Sequence, residues 1–471
     1  MLECTIMLTL GISMINHQLN IFDNAKPYSF DNLVSEFKWL VKTLPDKRKG
    51  LNTSYSIADA ALSAFSVFFM QSQSFLAHQI KMQEDRGSNN ANNLFQVENI
   101  PSDNQIRNIL DTIPPSSIIP MFDYVFNGLK SLGYFEHYRS INKTILIALD
   151  GVNYFSSDKI HCEQCNTRHL KNGEVHYFHH ALTPVIVAPD NRIIIPLAPE
   201  FITPQDGHDK QDGEHAAAKR WLTEYGRKYS EFGVTILGDD LYSHQPICEI
   251  IIKEGLHFIL TCKPSSHITL YENIDRIDDL NKIKELKIER IEGIRVKKTF
   301  IDTYRLKNNV PIRDTKDALH VNWCELVTTD EDGKVIFINS YITDHEITIE
   351  NVAEIIKSGR TRWKIENENN NVLKNHGYNL EHNFGHGKEY LSQTLMTLNT
   401  LAFLFHTVLQ IMDPRYKELR SKLPTRKIFF EHIKALTIYL CFKNWNALLQ
   451  FMLDGLEKRF NIEDLTTIVD T

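Results

Sequence analysis

Cysteine is scarce and unpatterned in this chain, with seven residues among 471, an odd number at irregular spacing. That excludes a disulfide framework and predicts a reduced, intracellular protein. There is no large excess of one charge. The formal charge of -7 supplies no global field for a polyanion, so nucleic-acid binding has to come from local basic surfaces. No Gly-rich phosphate loop and no nucleophile elbow is found, which leaves a nucleotide-dependent or hydrolase-type metabolic enzyme without support. Internal repeats are absent too. Long uninterrupted apolar runs are missing. The opening MLECTIMLTLGISMI lacks a basic segment and carries Glu3, unlike a secretory signal. LSQTLMTLNTLAFLFHTVLQIM, from Leu391, is broken by Ser, Gln, Thr, Asn and His. It reads as a buried core helix, because a membrane span needs about 20 predominantly apolar residues. A soluble, cytoplasmic protein with no membrane partner is expected.

What is present is ordinary globular composition, 42% apolar and 24% charged, on a chain long enough for two or three domains. Up to residue 142 the apolar spacing is helical, in SFDNLVSEFKWLVKTL and IADAALSAFSVFFMQSQSFLAHQI. EDRGSNNANN reads as a loop, and Ser102 with Gln105 has capping-box spacing ahead of a further helix. From residue 143 the period changes. TILIALDG, VHYFHHALTPVIVAP, RIIIPLAPEFI, VTILGDD and HFILTCKP are five strand candidates, with helices expected in QDGEHAAAKRWLTEYGRKYS and HQPICEIIIKEG. The order β-β-β-α-β-α-β predicts a mixed α/β sheet with crossover helices. Residues 265–343 are charged and β-rich, with strands expected in IRVKKTFIDTYRL, LHVNWCELVTT and KVIFINSYIT. Helical pattern returns from about residue 346. The expected division is a helical region at 1–142, a sheet domain at 143–264 and 344–411 interrupted by the β-rich insertion at 265–343, and a helical end at 412–471.

Two of the apolar strands end in acid, at Asp150 and Asp239. A carboxylate ending a buried strand is partly desolvated and favours a nearby cation. Two on neighbouring strands, joined by a third from a helix, suit hard divalent ions bound through oxygen. The third candidate lies in TRWKIENENNN, where Glu366 and Glu368 compete. On a helix Arg362, Glu366 and Asn370 share one side, and Glu368 faces away.

LDG at the first strand end, LGDDLY after the fourth strand and RWKIE on the late helix resemble the DDE transposases of bacterial insertion sequences. The resembled branch has a β-rich insertion and a Y-R-E-K signature. The resemblance implies a ribonuclease-H-like fold in which Asp150, Asp239 and Glu366 are catalytic and bind metal. Asp240 is the rival of Asp239, and Glu368 that of Glu366. The implied cofactor is Mg²⁺, with Mn²⁺ as a substitute. The implied reaction is nicking of DNA at the element's end followed by strand transfer to target DNA. The implied partners are DNA and a second copy of the chain in a synaptic complex. Arg362, Arg360 and Lys374 are the implied DNA contacts. The signature tyrosine position is Gly359 here, and its lysine falls at Leu373, one residue before Lys374. The rival readings are a catalytically inactive transposase-derived DNA-binding protein and a ribonuclease-H-like nuclease.

Other signals compete. HCEQC, followed by His169 and His176, offers Cys162, Cys165, His169 and His176 as a structural zinc set, against a metal-free loop. Asp206, Asp209, Asp212 and Glu214 look like a calcium loop but lack its twelve-residue pattern, so a solvated loop before a helix is expected. His382 and His386, the run RYKELRSKLPTRK, and Lys42, Lys47, Arg48 and Lys49 are basic or polar features that could approach DNA, without helix-turn-helix spacing.

Overall fold

The computed structural model describes residues 28–48, 53–206, 210–280, 282–293 and 297–457. The apolar N-terminal stretch, Lys49, Asp209 and residues 294–296 of the IRVKK segment lie outside them. The chain forms two compact units. One takes residues up to Tyr134 together with those from Val372 onward, and the other runs from Phe135 to Asn371.

The first unit is helical. Helices Ile57–Phe69 and Leu391–Met412 bury nearly all their apolar side chains, and Phe30–Lys42 buries Phe30, Leu33, Val34, Phe37 and Val41. Phe30 lies 4.3 Å from Phe69 and 4.7 Å from Trp445 between ring centroids, so an aromatic cluster ties both ends of the chain into one core. Helix Leu391–Met412 is long and apolar enough to span a membrane, but 83% of its apolar window is buried inside the protein. The Ser102–Gln105 capping box forms with both bonds. EDRGSNNANN, expected as a loop, is instead mostly the helix Asp85–Phe95. Tertiary contacts override its weak propensity. Gly87 leaves no room for a Cβ against the Lys81 carbonyl, and Asn90 Nδ2 donates to the carbonyls of Thr437 and Leu440.

The second unit is a mixed α/β structure. Its strands are β1 (Ile145–Ala148), β2 (Gly151–Ser157), β3 (Asn166–His169), β4 (Val175–Leu182), β5 (Val185–Ala188), β6 (Asn191–Pro196), β7 (Glu200–Ile202), β8 (Val234–Gly238), β9 (His257–Thr261), β10 (Lys284–Glu292), β11 (Lys298–Pro311), β12 (His320–Asp330) and β13 (Val335–Thr343). Nine form one sheet in the order β10-β11-β12-β13-β9-β8-β1-β5-β6. β1, β8 and β9 run parallel, and the other neighbours are antiparallel. Helices Lys210–Ser230 and Gln245–Lys253 make the two crossovers, as parallel pairing requires. VHYFHHALTPVIVAP is two strands, not one. The chain breaks at Thr183-Pro184, sending β4 into a second, smaller sheet with β2, β3 and β7 and β5 into the main sheet. The β-rich segment begins with the helix Ile268–Asp279, and its strands extend the main sheet through β13.

Candidate active site

β1 and β8 pair in parallel with Ala148 opposite Leu237, so the acids two residues further on, Asp150 and Asp239, emerge side by side at one sheet end. Asp150 is held by its backbone as well. Its carbonyl accepts from the Thr183 amide at 2.9 Å at the start of the turn into β5. Gly151 follows because nothing larger fits. A Cβ there would meet His180 Nε2 at 2.6 Å and the Glu214 carboxyl at 2.7 Å.

Helix Val352–Arg360 leads into a π-helical segment, Ile365–Asn370, that packs on β5 and β6. Such widened turns are frequent at functional sites. Lys364 anchors the segment. Buried itself, it donates to the carbonyls of Ala188, Pro189 and Asn191 around the β5–β6 turn. Asn370 is buried too. Its Nδ2 donates to Asp150 Oδ2 at 3.2 Å, and its Oδ1 accepts from Thr183 Oγ1 at 3.0 Å. Arg362 Nη2 meets Glu366 Oε1 at 2.7 Å, with Glu366 about half exposed at 52%.

The electrostatics join these groups. The pKa of Asp150 is pushed up to about 7, by burial first; Arg362 opposes the rise, and Asp239, Glu214 and Glu366 add to it. Arg362 in turn feels Glu366, Asp150 and Asp239. Three carboxylates, Glu366, Asp150 and Asp239, therefore act on one guanidinium. Among the described residues, the sets of three or more metal-ligand side chains that close to within 4.8 Å do not include Asp150, Asp239 and Glu366. One set that does close, His257, Asp344 and His345, is a hydrogen-bonded cluster in which His345 already uses both ring nitrogens, on Asn142 and Thr235.

The two rivals are placed differently. Asp240 is engaged by the chain after β9, accepting from the Lys263 amide at 2.7 Å and from Ser266 Oγ. Glu368 acts on Lys364, the residue that anchors the segment to the β5–β6 turn. Glu214, read as a solvated acid near a helix start, lies in the expected helix, Lys210–Ser230, but is buried. It faces His180 Nε2 at 3.5 Å and accepts from the buried Tyr242 hydroxyl at 3.5 Å. The expectation failed because the acidic run hides the helix phase, in which Glu214 turns inward. Asp206 of the same run pairs with Arg220.

The remaining candidates scatter. Arg360 lies over the Phe337 ring, 4.6 Å from its centroid. Lys374 belongs to the helical unit and pairs with Glu381 at 2.7 Å. Gly359 packs where a Cβ would meet Tyr341 at 2.7 Å and Ile259 at 2.9 Å, so the aromatic side chain of the signature has no room there. In RYKELRSKLPTRK, Arg420 and Arg426 lie against Phe429, Phe403 and Tyr378 inside the helical unit. Lys42 and Arg48 are paired with Glu98 and Asp46.

The predicted zinc set is rearranged. His176 Nδ1 is paired with Asp158 at 2.5 Å, and His169 stands exposed at the end of β3. The ring beside Cys162 and Cys165 is instead His179 of β4.

No family model matches the chain, and no curated protein matches it. Among solved structures, it is distantly similar to a piggyBac transposase in a synaptic complex with hairpin DNA. The identity is 11% and the TM-score 0.35, over 96% of this chain and 84% of the other. A likeness at that level carries no functional argument.

Proposed function

We propose that this chain is a DDE-type DNA transposase with a ribonuclease-H-like catalytic unit. The observation that carries the reading is the side-by-side emergence of Asp150 and Asp239 from the paired ends of β1 and β8, with Arg362 acting on both and paired with Glu366 at 2.7 Å. Its central order, β6-β5-β1-β8-β9 with only β1, β8 and β9 parallel, suits that fold. The insertion between Asp239 and Glu366 supports the same reading. The three acids are an all-oxygen donor set in a partly desolvated place, which fits a hard divalent cation such as Mg²⁺ or Mn²⁺. Bound there, such ions would supply an activated oxygen nucleophile and stabilise the leaving oxygen.

The chain's own residues do the rest. Asn370 and Thr183 fix the Asp150 carboxylate. Arg362, released from Glu366 when that carboxylate is otherwise engaged, presents a guanidinium fork to a phosphate. In the first step a water oxygen bonds to phosphorus, and the bond from phosphorus to the 3′ oxygen breaks. The freed 3′-OH then attacks a target phosphodiester in the same manner. A synaptic dimer and a cytoplasmic, nucleoid-associated setting belong to the same proposal.

The test is Mg²⁺-dependent cleavage of a labelled duplex carrying the flanking element's end. Asp150→Ala, Asp239→Ala and Glu366→Ala are expected to abolish cutting while DNA is still bound, and Glu368→Ala to cut. A wild type that binds the end but never cuts would support the inactive DNA-binding reading instead. Cutting of RNA–DNA hybrids with indifference to the element's end would support the ribonuclease-H-like nuclease.

A further inference from the structure

We infer that Cys162, Cys165 and His179 form a zinc site that fastens the β2–β3 connection onto β4. The two Sγ atoms are 3.7 Å apart, and His179 Nε2 lies 3.3 Å from Cys162 Sγ and 3.4 Å from Cys165 Sγ. A tetrahedral zinc with Zn–S of about 2.3 Å and Zn–N of about 2.0–2.1 Å requires S···S near 3.8 Å and S···N near 3.6 Å. The triangle therefore matches three corners of such a site. It does not match a disulfide, whose sulfurs would stand at about 2.05 Å. Nor does it suit a thiol–imidazole pair, which needs one sulfur at the ring nitrogen, whereas two stand here at equal range.

The surroundings are built for holding ligands. Cys165 is 5% exposed and His179 1%. The turn is closed by the Cys165 amide donating to the Cys162 carbonyl at 3.1 Å, and the Cys162 amide points at Cys165 Sγ at 3.4 Å. Tyr154 of β2 stacks on the His179 ring at 5.4 Å and 14°, fixing its plane. The sequence spacing conceals His179 because it lies on the strand after the turn, beyond both nearer histidines.

The site also has a place in the architecture. Successive residues of a strand face opposite ways. His179 faces the thiols, and His180 faces Glu214 and crowds Gly151 beside Asp150. Fastening β4 on one face thus steadies the residues behind the acids on the other. The inference does not depend on the transposase reading, since metal content is measured without DNA.

The experiment is elemental analysis of the full-length protein purified without chelator, with cobalt substitution and zinc-edge X-ray absorption. The expected result is about one zinc per chain, a sulfur shell at about 2.3 Å and an intense thiolate-to-cobalt charge-transfer band. His179→Ala and Cys162→Ser should lower zinc content about tenfold or more, while His169→Ala and His176→Ala keep it. Cys165 and His179 are buried, so the wild-type spectra test the site even where a substituted chain fails to fold. Wild-type protein that neither carries nor takes up zinc, or a sulfur-free metal shell, would overturn the inference. Loss of zinc from His176→Ala with retention in His179→Ala would overturn the ligand set. Retained zinc in chains that do not cut DNA would leave this site standing and count against the transposase reading alone.

Discussion

Asn370 Nδ2 donates to Asp150 Oδ2 at 3.2 Å, while the Asn370 oxygen is held by Thr183. The amide can therefore present only its NH₂ to the acid, which fixes how Asp150 offers its other oxygen. Groups that orient a metal ligand typically contribute 10–100-fold to affinity or activity. Asn370→Ala is expected to lower the rate of end cleavage by about that range and to raise the Mg²⁺ concentration needed for half-maximal rate. Binding of the labelled end, measured by gel shift, should stay unchanged. Full activity at unchanged Mg²⁺ dependence would remove Asn370 from the site.

Arg362 opposes the upward push of burial on Asp150, and it also acts on Asp239 while holding Glu366 at 2.7 Å. Removing it leaves partly buried carboxylates facing one another, which is costly in a poorly hydrated place. Arg362→Gln is expected to melt at a lower temperature than wild type in the absence of divalent ions, with Mg²⁺ restoring more stability to the variant than to wild type. Cleavage should fall by about 100-fold, and Arg362→Lys should rescue stability better than rate, because an ammonium lacks the guanidinium fork. A melt unaffected by the substitution would show that the acids do not need this cation.

Lys364 stands between the two residues that carry the signature, yet its role is structural. Its ammonium is buried against three carbonyls at the β5–β6 turn. Lys364→Met keeps the stem and deletes the donor, leaving those carbonyls without it. A loss of about 2–3 kcal/mol is expected in urea unfolding, since hydrogen bonds from a charged group contribute about 1.5–3 kcal/mol and the orphaned acceptors add to the cost. An unchanged urea midpoint would refute the anchoring role.

The mixed sheet was legible because buried strands leave continuous apolar runs. TILIALDG and VTILGDD announced both their burial and the acids that end them. Four-residue spacing put Arg362 and Glu366 on one side, and they pair at 2.7 Å, although the segment from Ile365 is π-helical. Three things were hidden, each for a physical reason. EDRGSNNANN folds as a helix because Asn90 and Gly87 answer to distant partners, which local propensity does not register. Glu214 looked like a solvated acid because nothing in its neighbours reports inward orientation, and the bond of Asn370 to Asp150 did not follow from its place on the Arg362 side. Cys162 and Cys165 were visible as a pair, but the histidine beside them is chosen by strand pairing between β3 and β4, not by distance along the chain.

His78 gives the helical unit a pH dependence whose sign is fixed. It is buried between Ser66 Oγ and Ser72 Oγ, each 2.9 Å from a ring nitrogen. Burial first, and then the charges of Lys81 and Lys434, push its pKa down to about 3. The ring is neutral in the folded protein over a range where the unfolded chain, with a histidine pKa of about 6.5, binds a proton. Between those values the unfolded state holds more protons, so this contribution to stability is present above about pH 6.5 and is lost as pH falls. The slope approaches about 1.4 kcal/mol per pH unit once the unfolded histidine is fully protonated. Replacing the ring with a side chain that cannot titrate removes that slope, although it also changes stability at neutral pH. The decisive quantity is therefore the difference between urea midpoints at pH 7.5 and 5, compared for wild type and His78→Gln. Wild type should lose more stability across that interval, by about 1–2 kcal/mol. Equal losses in the two proteins would mean that His78 can be protonated in place, contrary to its burial between two serines.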